Sequence, residues 1–207
     1  IIKQLEIVEQ LQLHLEEGNA ARTFPVDEKK RPYLTDLFLL SQKPVLFACN
    51  VSEGDINSGN KWVETVNKIA EKHGDETVTF CAKIEAEIAE LEEDEKEIFF
   101  EEMNIESGGL NRLIRAAYKE LGLITFFTAG PKETRAWTIR KGSKAPEAAG
   151  TIHTDFERGF IRAETVSYPT YAELGSEKAV RDAGDMRQEG KDYTVQDGDV
   201  ILFRFNV

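Results

Sequence analysis

Pro44-Val45-Leu46-Phe47-Ala48-Cys49-Asn50-Val51-Ser52-Glu53 opens a stretch that runs through a helical rhythm at residues 61–72 and closes on Thr77-Val78-Thr79-Phe80-Cys81-Ala82-Lys83. Two near-continuous apolar runs joined by an amphipathic helix predict parallel strands buried on both faces, because a parallel pair needs a crossover of this length. The helix is expected to pack through Trp62, Val66, Ile69 and Ala70. Parallel neighbours carry their carboxyl ends to one edge. In an open α/β sheet that edge holds the ligand crevice, which should place Asn50, Glu53 and Ala82 together.

Working outward, residues 1–17 space Ile1, Leu5, Val8, Leu11 and Leu15 at threes and fours between polar residues, a helix with one apolar stripe that suits half of a coiled-coil hairpin and stops at Gly18-Asn19. Residues 23–42 form a connector with Pro25 and Pro32, ending in an apolar turn at Leu37-Phe38-Leu39-Leu40. Past Lys83, Ile84, Ile88 and Leu91 continue as a helix with an acidic outer face from Glu85 to Glu97, which reads as a solvated surface. Gly108-Gly109 breaks the pattern before a helix with Leu110, Leu113, Ile114, Ala117 and Leu121 on one side. From Leu123 the period changes. Strands are expected at Thr125–Thr128 and Thr134–Ile139 around the turn at Gly130-Pro131, then a short helix at Ala145–Ala149, a strand at Phe160–Val166, helix around Lys178–Gln188, and a final hairpin of Tyr193–Val195 with Val200–Phe205. Five strands clasping a helix describe a small mixed β-grasp sheet.

The formal net charge of -12 sits almost wholly in the first 123 residues, which argues against DNA as a partner. Cys49 and Cys81 fall inside apolar strands and offer neither a disulfide framework nor zinc spacing, which suits a reducing cytoplasm. No apolar run approaches the roughly 20 residues needed to cross a bilayer, so no membrane partner is expected.

A purine at a strand end needs a side chain that both accepts and donates, and one Asn amide does both. GTPases that select guanine use Asn-Lys-x-Asp; here Asn50-Val51-Ser52-Glu53 keeps the amide, replaces the lysine by an apolar cover and lengthens the acid by a methylene, which should weaken guanine selectivity. Cys81-Ala82-Lys83 is similar to the Ser-Ala-Lys loop that offers a backbone N–H to the base in those enzymes. Alone, an Asn after a strand is usually a turn residue. The pairing of both motifs across one crossover is the informative feature. Phosphate chemistry is missing: Gly184 to Gly190-Lys191-Asp192 is one residue too long for a phosphate loop and ends in Asp rather than a hydroxyl. No catalytic residue and no metal ligand is assigned. His14 and His73 are expected to face solvent, and His153 to bond within its own loop. Arg135, Arg140, Lys141, Lys144, Arg158 and Arg162 accompany Trp137 and Phe160 and form a candidate RNA-facing or ribosome-facing set, although aromatic residues on a sheet are more often core.

The stretches Gly108-Gly109-Leu110-Asn111-Arg112, Phe127-Thr128-Ala129-Gly130, Arg135-Ala136-Trp137-Thr138-Ile139, Ile152-His153-Thr154-Asp155-Phe156, Gly159-Phe160-Ile161-Arg162-Ala163, Gly190-Lys191-Asp192-Tyr193 and Phe205-Asn206-Val207 closely resemble the YchF or Obg-like ATPase family. The resemblance implies an α/β chain: the end of a coiled-coil insertion (residues 1–22), a connector (23–43), the C-terminal part of a P-loop NTPase parallel-sheet domain (44–121) and a ubiquitin-like β-grasp TGS domain (122–207). It implies binding and hydrolysis of ATP or GTP with Mg2+ in the intact protein, base contacts from Asn50, Val51, Glu53, Cys81, Ala82 and Lys83, ribosome or ribosomal RNA as partner through the TGS domain, and a cytoplasmic location. The family's phosphate loop, magnesium ligand and catalytic histidine lie upstream of the matched stretches. The segment by itself is therefore expected to hydrolyse nothing. The alternative is a non-enzymatic RNA- or protein-binding adaptor built on the TGS domain.

Overall fold

The computed structural model describes residues 2–27, 29–105, 107–130 and 133–206, so Ile1, Pro131 and Val207 of the sequence reading lie outside the described residues. Two compact units result, Ile1–Glu120 and Leu121–Val207, in an α/β fold with two sheets.

In the first unit, α1 (Ile2–Glu16) buries Ile7 and Leu11 against Ala21 and Leu34. The expected stripe is thus rotated: Leu5 is 57% exposed and Ile7 takes the inward place. Apolar residues on this helix outnumber one stripe, so spacing alone allowed several registrations, and the packing of residues 21–39 selects one. Gly18 adopts a left-handed φ of 84° and ends the helix. His14 does not face solvent. Its Nε2 lies 3.1 Å from the Ala20 carbonyl and 3.0 Å from Thr23 Oγ1, and its ring meets Phe24 edge-on.

The connector holds two short 3-10 turns, Ala21–Thr23 and Leu40–Gln42, and the single-turn α2 (Arg31–Thr35), with Pro32 in its first turn. Of its apolar corner, Leu39 packs against the α1 cluster while Leu37, Phe38 and Leu40 are exposed, Phe38 to 87% at a φ of 49°.

β1 (Leu46–Asn50) runs parallel to β2 (Glu76–Phe80), in register from Leu46 with Glu76 to Asn50 with Phe80. The crossover between them is α3 (Lys61–His73). Asn60 caps that helix by accepting from the Trp62 and Val63 N–H groups, and Gly74 ends it in the left-handed region. α3 buries Val63 and Ala70, whereas Trp62 is 69% exposed and Ile69 is also exposed. The expected face is corrected to Val63, Val66 and Ala70. A helix laid on only two strands covers a narrow stripe. For the same reason β1 is only half-buried, with Ala48 exposed, and not enclosed on both faces.

Next come α4 (Ala82–Ala89), α5 (Glu93–Met103) and α6 (Gly109–Glu120). The acidic run has an internal use: Glu92 and Glu95 form a capping box at the start of α5, where negative charge complements the helix dipole. Glu85 accepts from the N–H groups of Gly109 (2.5 Å) and Leu110 (3.2 Å) at the start of α6. Ala116 is the buried centre of α6, while Leu110, Ile114 and Leu121, expected on its inner side, are exposed.

The second unit begins with the hairpin of β3 (Leu123–Ala129) and β4 (Thr134–Arg140). α7 (Ala145–Ile152), α8 (Thr154–Arg158) and β5 (Phe160–Ser167) follow, then α9 (Tyr168–Leu174), α10 (Glu177–Ala183), β6 (Arg187–Glu189) and β7 (Asp199–Phe205). The sheet order is β4-β3-β7-β5-β6, with β3 and β7 parallel and the other neighbours antiparallel. Ala145, Ala148 and Ala149 are fully buried among Phe126, Phe160, Ile201 and Phe203, so their small side chains let α7 lie close on the sheet. This is the β-grasp arrangement. Several details differ from expectation, among them α8 and α9, for which no helix was expected. Tyr193–Val195 is not a strand, contributing only an isolated bridge between Thr194 and Lys144, and β6 lies earlier, at Arg187–Glu189, where helix was expected. Lone triplets carry too little periodicity to separate these cases; backbone pairing with β5 decides.

Gly159 sits at the mouth of β5, where an added Cβ would lie 2.0 Å from the Asn206 carbonyl oxygen. Gly159→Ala should destabilise the second unit by about 1–3 kcal/mol, read as a lower denaturation midpoint.

Candidate functional site

Both strand tips of the parallel pair meet. The Ala82 N–H, first in α4, donates to Asn50 Oδ1 at 3.0 Å, and Lys83 Nζ lies 2.5 Å from Glu53 Oε1. The Val51 N–H donates to the Phe80 carbonyl at 2.9 Å, which carries the ladder one residue past β1. Asn50 is thus set against Ala82 and Glu53 against Lys83 at adjacent strand tips. Cys81 differs: its side chain is buried with Ile84 and Ile88.

The loop after Asn50 is stiffened by its own polar groups. Asp55 Oδ2 accepts from Ser52 Oγ at 2.8 Å and from Asn60 Nδ2 at 3.1 Å, and these bonds, Asn60's foremost, hold the Asp55 carboxyl below its ordinary value. Asn60 thus couples the loop to the cap of α3. Lys83 and Glu53 are 70% and 48% exposed, so their ion pair is solvated and weakly held, although it keeps the ammonium above its ordinary pKa through the hydrogen bond and the charge of Glu53. A cleft of about 280 Å³ opens beside Asn50 and Val51, walled by Phe47, Asn60, Trp62 and Val66.

With Oδ1 occupied by Ala82, the Asn50 amide has its Nδ2 to offer an incoming acceptor. Glu53 supplies acceptors, Val51 and the cleft walls apolar contact. Among the described residues there is no group of three or more His, Cys, Asp or Glu arranged to hold a metal ion. No helix among them is long and apolar enough to cross a membrane.

The six basic residues of the second unit do not form one patch. Arg135 stacks over Trp137 at 4.2 Å from the ring centroid, while Arg140 is offset by an odd number of residues on β4 and points to the opposite face. Lys144 donates to the Asp192 carbonyl at 2.9 Å, Lys141 is exposed beyond β4, and Arg158 ends α8. His153 bridges α7 and α8, its Nδ1 accepting from the Asp155 N–H at 3.2 Å, a structural cap.

Arg162 belongs to a cluster that sequence reasoning missed. Glu164 is buried on β5 and receives Arg162 at 3.2 Å, Arg204 at 3.1 Å and Arg181 of α10. Burial raises its pKa, but hydrogen bonds from Arg204, Arg181 and Arg162 outweigh it and hold the carboxyl at about 2. The available signal was a glutamate inside an apolar strand. Arg162 is a neighbour on the same strand, but Arg181 and Arg204 lie 17 and 40 residues away, beyond any local pattern. Tyr193 is similarly held: burial and its bond to Asp199 at 2.7 Å push the phenol up to about 12.

The family model YchF-GTPase_C, described as a protein of unknown function (DUF933), matches residues 123–206. The ribosome-binding ATPase YchF of Bacillus subtilis is 50% identical over 206 residues, covering 99% of this chain and 56% of that protein. Obg-like ATPase 1 of Gallus gallus is 44% identical over 200 residues, covering 89% of this chain and 50% of that protein. The structure of the Schizosaccharomyces pombe YchF GTPase superposes with a TM-score of 0.86 at 32% identity, covering 98% of this chain and 54% of that one. The chain thus spans about half the length of the curated relatives it matches.

Because a folded Glu164 is held at about 2, its stabilisation is complete above the ordinary glutamate range and is lost as pH falls through about 2. Glu164→Gln should cost about 2–4 kcal/mol at neutral pH. Denaturant titrations should show that gap closing as the pH is lowered toward 2.

Proposed function

This chain belongs to the YchF and Obg-like ATPase family, corresponding to its C-terminal part, and from that premise we propose that it supplies base recognition and an interaction module to an ATP- and GTP-binding hydrolase. The observation that carries the base site is the 3.0 Å hydrogen bond from the Ala82 N–H to Asn50 Oδ1. It joins two tips 32 residues apart and orients the Asn50 amide so that Nδ2 donates to a ring nitrogen of the purine. Val51 covers the ring in place of the lysine that guanine-specific sites use, and Glu53 accepts from the exocyclic amine. Adenine carries that amine beside an acceptor nitrogen, so ATP is served at least as well as GTP. A bound nucleotide with Mg2+ supplies the phosphoryl chemistry. No residue of this chain is assigned to phosphate, magnesium or bond cleavage, and the 207 residues by themselves hydrolyse nothing.

Residues 1–22 are read as the end of a coiled-coil helix, 23–43 as a connector, 44–121 as the nucleotide part and 122–207 as a TGS domain. The name of the Bacillus subtilis relative includes ribosome binding. In this reading the β-grasp unit meets the ribosome, in the cytoplasm, and Arg135 over Trp137 is its best RNA contact, since a guanidinium held 4.2 Å from an aromatic ring centroid pairs a cation with a stacking surface.

In the longer protein, Asn50→Ala should weaken ATP binding by about tenfold or more, because both the donor and the brace for Ala82 are lost, and Glu53→Ala by a smaller factor. Calorimetry of ATP binding, with circular dichroism as a fold control, reads both. An adaptor that uses the parallel pair only as scaffold would show unchanged affinity, and that result would remove the base-site reading. ATP turnover by the 207-residue chain would remove the claim that hydrolysis needs residues beyond it.

A further inference from the structure

In the second unit, β5 and β7 set two arginines directly against each other: Arg162 and Arg204 are register partners. Like charges opposite one another on antiparallel strands repel, so such a pair calls for an anion beside it. Glu164, buried on β5, is that anion, but it is shared. Its Oε1 receives Arg162, and its Oε2 receives both Arg204 and Arg181. Glu177 balances Arg181 through hydrogen bonds of 2.7 and 3.1 Å, and Glu164 balances one member of the opposed pair. One guanidinium charge is left over. The cross-strand partners of Glu164 are Gln188 on β6 and Leu202 on β7, and neither carries a charge.

Both opposed arginines are also presented to solvent. Their side chains are 44% and 45% exposed, and in each it is Nη2 that meets Glu164, which leaves Nε and Nη1 to donate to a second acceptor. One arginine suffices to neutralise a buried carboxylate, and three exceed that need. Anchored in this way, the guanidinium forks give up little side-chain freedom on binding, and each matches the paired oxygens of a phosphodiester. α9 and α10 cover the paired Val166 and Val200 further along the same strands, and leave the arginine pair open. A small anion needs a concave site, whereas an open sheet face suits a polyanion that lays its backbone along it.

We propose that Arg162 and Arg204, braced by Glu164, form a clamp for the phosphodiester backbone of RNA. Resting on the reading that the β-grasp unit meets the ribosome, the clamp adds backbone contacts to the base contact given to Arg135. All three arginines stand at one end of the sheet, because β4 and β5 begin where β3 and β7 finish. The clamp reads charge and not sequence.

The test titrates the 207-residue chain against a fluorescein-labelled RNA hairpin by fluorescence anisotropy at low salt, and sediments the same chain with purified ribosomes. Arg162→Gln and Arg204→Gln should each weaken hairpin binding by about fivefold and flatten the slope of log affinity against log salt by roughly one. Each leaves Glu164 two arginines, and circular dichroism checks the fold. Lys68→Gln removes an equal charge from the exposed side of α3 and should change affinity by less than about twofold. Polyglutamate should compete at least about tenfold more weakly than unlabelled hairpin. Where the arginine variants fail to fold, nuclear magnetic resonance of the unaltered chain serves: the Nε–H signals of Arg162 and Arg204 should move saturably as hairpin is added. Unchanged hairpin affinity in the folded arginine variants, arginine signals that stay in place, or equal competition by polyglutamate would overturn the clamp. Sedimentation with ribosomes in any of those cases leaves the ribosome reading standing; a chain that neither binds the hairpin nor sediments overturns both.

Discussion

Parallel pairing of β1 with β2 is the constraint on which the first unit depends. Two parallel strands must end on the same edge, and the 13-residue helix that joins them is what makes the pairing geometrically available. Everything of chemical interest at that edge follows from the register that sets Asn50 beside Phe80, one residue short of the loop whose Ala82 N–H reaches the Asn50 amide. A slip of one residue would turn Asn50 to the other face and leave that N–H unpaired.

Polar braces, rather than extra apolar surface, hold this small layer in place. Asn60 serves the cap of α3 and the Asp55 loop together; Glu85 closes the start of α6; Arg22 grips Asp75 with two hydrogen bonds, of 2.6 and 2.9 Å. The last ties the 3-10 turn at Ala21–Thr23 to the residue just before β2. Each brace satisfies backbone or charged groups that the open sheet would otherwise leave to solvent, and each acts on an element that bears on the strand tips. The second unit uses the same device more deeply. Glu164 is fully enclosed yet ionised because three arginines from β5, β7 and α10 converge on it, and that convergence fastens α10 to the face of the sheet opposite α7.

Much of this was legible before any coordinates. The strand–helix–strand unit, the change of period near Leu123, four of the five strands of the second unit and the pairing of Asn50 with the Cys81-Ala82-Lys83 loop all follow from spacing. Failures are concentrated where several apolar residues compete for one face. On α1 the choice of Ile7 over Leu5, and on α3 of Val63 over Trp62, depend on what lies opposite, which a single helix period does not carry. β6 failed for another reason, being three residues long and defined only by its partner.

Local chemistry written along the chain determined which residue types stand at each strand end, which helices carry caps, and that no phosphate loop lies within these 207 positions. Tertiary structure alone decided which charges meet. Arg204 reaches Glu164 across 40 residues and Arg112 shares a hollow with Glu76 across 36, separations set by sheet order and helix docking. Hydrophobic periodicity is a property of neighbours a few residues apart. The pairing of a buried charge is a property of elements that fold together from opposite ends of a unit.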